Sequence, residues 1–197
     1  MDTILSEIRK CTVCKEFLPN APRPIIQASS VSKIVIIGQA PGQRVQDSGI
    51  PWDDASGNNL REWLGVDKQT FYNEKIFALV PIGFCFPGSG KSGDLPPRPE
   101  CAPLWHQQVL KSMTAVKLTL LIGQYAQHYY LKTAKMTLTE TVKNYKEYLP
   151  AYIPLPHPSP RNNIWQKKNE WFKESLLHVL REKVKSLLNE TKIKHTK

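Results

Sequence analysis

Four short apolar runs alternate with longer stretches in which apolar residues recur at helical spacing. Residues 33–37 (KIVII) form a β-branched run closed by Gly38, and residues 76–82 (IFALVPI) form a second. Leu118–Ile122 (LTLLI) before Gly123 is a third, and Tyr152–Leu155 is a short fourth, weakened by Pro154 and Pro156. Continuous apolar runs of this length read as strands buried on both faces. Between them the spacing predicts helices over residues 58–64, 100–113, 124–131 and 139–149; in the second, Trp105, Val109 and Met113 recur at i, i+4. A long final helix over residues 169–188 carries Phe172, Leu176, Val179, Leu180, Val184 and Leu187 along one stripe. The first ten residues, MDTILSEIRK, read as a short amphipathic helix. Short strands alternating with helices imply an α/β fold with a parallel sheet covered on both faces. There is no internal repeat and no low-complexity segment.

Composition narrows the partners. At 197 residues and 41% hydrophobic content, the expectation is one compact domain over residues 1–190, followed by a basic tail at 191–197. No run is long enough to span a bilayer, so a soluble protein without a membrane partner is expected. The balance of 27 basic against 17 acidic residues, +10 overall, favours a polyanionic partner, with nucleic acid ahead of membrane. Residues 166–197 hold nine basic and four acidic side chains, about half of that excess, and a frayed tail is weaker support for a binding surface than a basic loop.

The four cysteines carry more specific chemistry. Cys11-x2-Cys14, then Cys85, then Cys101 after fifteen residues, is a poor disulfide pattern but suits one metal centre. Without a cationic-apolar leader the chain is expected in the cytoplasm, where thiols stay reduced. Four thiolates suffice for zinc or for a 4Fe–4S cluster. The plain alternative is four unrelated buried cysteines.

A parallel sheet binds ligands beyond the carboxyl ends of its strands. After the first strand comes Gly38-Gln39-Ala40-Pro41-Gly42, where glycine lets backbone amides approach a ligand and proline stiffens the path. It is not the G-x-G-x-x-G dinucleotide pattern. Nor is Gly88-Ser89-Gly90-Lys91-Ser92 a phosphate-binding P-loop, because Cys85 stands where the first glycine is needed. After the fourth strand comes His157-Pro158-Ser159-Pro160-Arg161-Asn162, in which two prolines hold His157 at the strand's end.

Together, the Gly38–Gly42 turn, Gly49-x-Pro51-Trp52, Ser56-Gly57, the cysteine spacing and the histidine loop resemble the uracil-DNA glycosylase superfamily. The likeness is greatest to its iron–sulfur branches, families 4 and 5, and runs from Cys11 to about Asn162. The histidine loop is more similar to that of the single-strand-selective monofunctional branch. The resemblance implies a three-layer α/β/α sandwich around a four-stranded parallel sheet. It implies a 4Fe–4S cluster on Cys11, Cys14, Cys85 and Cys101, and hydrolysis of the N-glycosidic bond to a damaged base in DNA. A base must be flipped out of the duplex before it is attacked. By resemblance, Trp52 supplies the aromatic face for that base. The backbone amides of Gln39 and Ala40, with His157, meet uracil O2 as it becomes anionic. The 159–162 loop, with Ser159, Arg161 and Asn162, presses on the DNA backbone or fills the gap.

Two residues depart from the pattern. Ala40 stands where the best-known branch has its water-activating aspartate, which leaves Asp47, Asp53 and Asp54 as candidates. Asp54, before Ser56-Gly57, is favoured, then Asp47; either also suits a turn or helix cap. Pro81 falls where family 4 enzymes carry a base-reading asparagine, so base discrimination needs backbone groups or another residue. Gly42, in place of a bulky aromatic, predicts a roomier pocket. No lysine is positioned by the motifs as a Schiff-base nucleophile, so a monofunctional glycosylase is expected, and a monomer is the expected state. Ala40 and Pro81 support the alternative of a non-catalytic DNA-damage binding module. A zinc-stabilised hydrolase of free nucleosides is a third reading.

Overall fold

The computed structural model describes residues 1–91, 93–132 and 136–193. The chain opens with α1 (Asp2–Arg9), followed by β1 (Ile34–Ile37) and three short helices, α2 (Gln43–Ser48), α3 (Ala55–Leu64) and α4 (Lys68–Phe71). β2 (Phe77–Leu79) leads to a small antiparallel hairpin, β3 (Ser89–Gly90) and β4 (Gly93–Asp94), then to α5 (Cys101–Lys111), β5 (Leu118–Ile122), α6 (Gly123–Leu131) and α7 (Leu138–Lys143). β6 (Tyr152–Leu155), α8 (Asn163–Lys168) and α9 (Leu177–Ile193) complete it. The four main strands form one parallel sheet in the order β2-β1-β5-β6.

Strand alternation explains the three layers. Ile34 and Ile36 of β1, with Leu120, Ile122, Ile153 and Leu155, face one side and pack on Leu60, Trp63 and Leu64 of α3 and on Leu180 and Val184 of α9. Val35, Ile37 and Leu121 face the other, against Leu5 and Ile8 of α1 and Ala102 and Val109 of α5. Every residue of β1 and β5 is buried, so both sheet faces need apolar side chains and the alternating polar pattern of a half-exposed strand is absent.

Boundaries moved where local chemistry overrode periodicity. The second strand is shorter than the apolar run, spanning Phe77–Leu79, although the Val80 and Ile82 N–H groups still donate to the Ile36 and Gly38 carbonyls, both at 2.9 Å. The expected 139–149 helix begins at Leu138, where Thr137 and Glu140 form a capping box, and ends at Lys143, followed by a 3-10 turn at Tyr145–Tyr148. The expected final helix starts later than residue 169, through a π-turn at Phe172–Leu176 that sets Phe172 edge-on to Trp63 (4.9 Å, 73°) and to Trp165 (5.5 Å, 74°). α9 runs to Ile193, and the last four residues of the expected basic tail lie outside the described residues. No helix among the described residues is long and apolar enough to cross a membrane.

In this strand order the chain crosses from one side of β1 to the other between β2 and β5. Loops after β1 and β5 therefore diverge and leave a crevice at the carboxyl edge of the sheet.

Candidate active site

A cavity of about 520 Å³ opens at that crevice, within the ~300–1,000 Å³ typical of small-molecule sites. The turn after β1 forms its floor. Gly38 and Gln39 carbonyls accept from the Ile82 and Gly83 N–H groups at 2.9 and 2.8 Å. In a trans peptide the C=O and the following N–H point opposite ways, so the Gln39 and Ala40 amides turn away from the Ile82–Gly83 segment. Both residues line the cavity.

Trp52 forms one wall. It has φ of +59°, a left-handed conformation that is costly for a bulky residue. Its surroundings dictate that conformation. A Cβ at Gly38 would stand 2.8 Å from Trp52 Cζ2, and one at Gly57 would stand 1.8 Å from the Trp52 carbonyl oxygen. Tyr72 Oη donates to the neighbouring Pro51 carbonyl at 2.9 Å. Two glycines and a fastened turn thus aim the indole into the cavity, with its ring centroid 5.9 Å from that of His157.

His157 follows β6. Asn162 Nδ2 donates to its carbonyl, and Asn59 Nδ2 donates to that of Pro158, both at 2.8 Å. Burial holds the imidazole below its ordinary pKa, opposed in part by the carboxylates of Asp54 and Asp94, so the ring is neutral at pH 7. Ser159, Arg161 and Asn162 also line the cavity. Ser159 Oγ accepts from the Arg161 N–H at 3.3 Å and starts the 3-10 turn Pro160–Asn162.

The carboxylates separate clearly. Asp54 lines the cavity and also caps α3, its Oδ1 accepting from the Gly57 N–H at 2.8 Å. Asp47 lies outside the lining, exposed on α2, where it accepts from Gln43 Nε2 at 2.7 Å. Asp53 faces Lys68 across 3.8 Å. The structure thus brings Asp54 to the cavity and leaves Asp47 and Asp53 on the surface. It also brings in Asp94, which the sequence reading did not consider.

The four cysteines line a second, smaller cavity together with Phe84, Arg98 and Trp105, and none is in a disulfide. Cys11 follows α1, Cys85 lies in the loop after β2, and Cys101 opens α5. Burial raises the Cys85 thiol to about 11 and Cys101 to about 12, and the other cysteines push the same way. The Trp105 indole N–H is buried in this region without a partner. Among the described residues no three His, Cys, Asp or Glu side chains gather as a single metal ion requires.

The model for the family described as "Uracil DNA glycosylase superfamily" matches residues 27–181, from ahead of β1 into α9. The chain belongs to the uracil DNA glycosylase superfamily. It is similar to the Type-4 uracil-DNA glycosylase of Saccharolobus solfataricus, 27% identical over 144 residues. That match covers 70% of this chain and 62% of the relative, so the chain spans less than two thirds of the relative's length.

In this superfamily member, His106 is a further residue near the cavity that sequence reasoning missed. On α5 and 2% exposed, it stacks on Phe84 and reaches the Pro81 carbonyl with Nε2 at 3.0 Å and Tyr130 Oη with Nδ1 at 2.6 Å. A carbonyl only accepts, so Nε2 carries the proton and Nδ1 accepts from the phenol. Pro81 lines the cavity, and its carbonyl accepts from His106. Burial lowers the His106 pKa to about 4. Against an unfolded value near 6.5, only the unfolded chain takes up this proton as pH falls. Stability is therefore expected to drop by about 3 kcal/mol between pH ~6.5 and ~4. Denaturant midpoints across that window should fall less steeply for His106→Phe than for the natural chain; parallel slopes would reject the assignment.

Proposed function

We propose that this protein is a monofunctional DNA glycosylase that hydrolyses the N-glycosidic bond of uracil, or another deaminated base, flipped out of DNA for base excision repair. The observation that carries this reading is the convergence of the first-strand turn, Trp52 and His157 on one cavity. Trp52 offers a face for stacking an extruded base. As the bond breaks, negative charge moves to the base. The Gln39 and Ala40 amides and the neutral His157 N–H are the donors suited to stabilise it. Arg161 and the 159–162 loop stand at the rim to contact the DNA backbone, in keeping with the net charge of +10.

The test is incubation with oligonucleotides carrying uracil, hypoxanthine or xanthine, followed by alkaline cleavage of abasic sites. Strand breaks at one of these bases are expected. Intact strands throughout, with retained affinity for lesion DNA, would instead identify a non-catalytic damage-binding module.

The reading extends to a 4Fe–4S cluster on Cys11, Cys14, Cys85 and Cys101, in a monomeric cytoplasmic protein. Four free thiols around one cavity, with an unpartnered indole N–H able to donate to sulfur, support it. When bound, the group cross-links the end of α1, the loop after β2 and the start of α5. Purified protein is expected to hold about four irons and about four sulfides per chain; stoichiometric zinc without iron would overturn the assignment.

A further inference from the structure

We propose that Asp94 is the catalytic carboxylate of the glycosylase site, holding the attacking water and facing the positive charge that develops on the sugar. This rests on the glycosylase reading and supplies the group that Ala40 lacks. The β3–β4 hairpin carries Asp94 to the cavity wall, where Gly93 and Asp94 both form part of the lining. Asp94 Oδ2 lies 3.2 Å from the point where a Cβ at Gly42 would stand. The space that glycine leaves after the β1 turn is thus filled by a carboxylate rather than left as extra room. Its other oxygen, Oδ1, accepts from Ser89 Oγ at 3.4 Å, a long bond that orients the group without consuming it.

Asp47 and Asp53 do not line the cavity, and Asp54, which does, gives one carboxylate oxygen to a helix cap. Asp54 caps α3, Asp47 binds within α2, and Asp53 faces Lys68. Among the described residues, charged and titratable groups near Asp94 include His157, whose imidazole responds to the charges of Asp54 and Asp94, and Arg161, whose Nη1 lies 3.2 Å from the Cβ position of Gly93. The carboxylate therefore sits between the histidine that meets the departing base and the rim that meets the DNA.

In the step assigned to it, the bond between sugar C1′ and the base nitrogen breaks and its electron pair leaves with the base. Water oxygen bonds to C1′ and its proton passes to the Asp94 carboxylate. The anionic base takes a proton from solvent, giving free base and an abasic site.

Asp94→Asn in the full chain tests this by single-turnover base release, lesion-DNA affinity and thermal midpoint together. The expected result is a rate lower by ~10²–10⁴, with affinity unchanged or tighter because a negative charge near DNA is lost. The thermal midpoint should stay within ~2 °C. Gly42→Ala, which crowds Oδ2 while leaving the carboxylate in place, should slow release by about tenfold, since near-attack geometry is sensitive to small displacements. An Asp94→Asn rate within threefold of the natural chain overturns the assignment and leaves the glycosylase reading intact. Absence of base release by the natural chain overturns both.

Discussion

Replacing His157 with alanine should lower single-turnover base release by ~10²–10³, the usual effect of removing one preorganised donor from a developing anion. The expectation follows from where the ring is held. Pro158 and Pro160 limit the loop, Asn162 and Asn59 grip its backbone, and Gly123, at φ +79°, lies where a Cβ would come 3.8 Å from the His157 Cβ and 3.9 Å from its ring Cδ2. The imidazole is thus in place before a base arrives. Burial lowers its pKa, so in the proposed reaction it would face the developing anion as a neutral N–H donor. Affinity for lesion DNA should change little, since the donor matters mainly once charge has moved to the base. His157→Gln, which retains an N–H, should recover part of the rate. A His157→Ala rate within threefold of the natural chain would remove His157 from the chemistry.

Gly57→Ala should be comparably damaging for a different reason. The added methyl would lie 1.8 Å from the Trp52 carbonyl oxygen and 2.7 Å from its carbon, a collision with backbone that no rotamer relieves. Either α3 shifts or Trp52 leaves its left-handed conformation, and both routes disturb the wall of the cavity. The Gly57 N–H also supplies the Asp54 cap, so the helix start loosens with it. The expected cost is about 2–3 kcal/mol of stability from overpacking, together with about a hundredfold loss of base release from a displaced indole. Chemical denaturation and single-turnover assays read the two separately. If Gly57→Ala folds with natural stability and rate, the packing of Trp52 against the start of α3 does not control the site.

The sheet was legible because its strands are buried on both faces. Leu118–Ile122 and Tyr152–Leu155 appear where the apolar runs place them, and the first strand within one residue of its expected bounds. The two-residue strands β3 and β4 and the short helices α2 and α8 were not read, because segments of two to six residues carry too little period to stand out. The loops after β1 and β6 were legible through their glycines and prolines, and these bring Gln39, Ala40, Trp52, His157, Ser159, Arg161 and Asn162 to one cavity.

By itself, the order of residues determined the alternation of buried strands and helices, the rigid loops at the strand ends and the set of four cysteines. These depend on local steric limits and on spacing along the chain, which travel with the sequence. Tertiary structure alone decided which carboxylates reach the cavity. Asp47 and Asp94 lie forty-seven positions apart in the numbering, and neither has a local pattern that distinguishes it. Both are exposed, but Asp47 points away from the cavity on a helix, whereas a hairpin beside Gly42 brings Asp94 to the cavity lining. The pairing of the Pro81 carbonyl with His106 was settled in the same way, because a hydrogen bond between residues twenty-five apart exists only after α5 packs against the sheet.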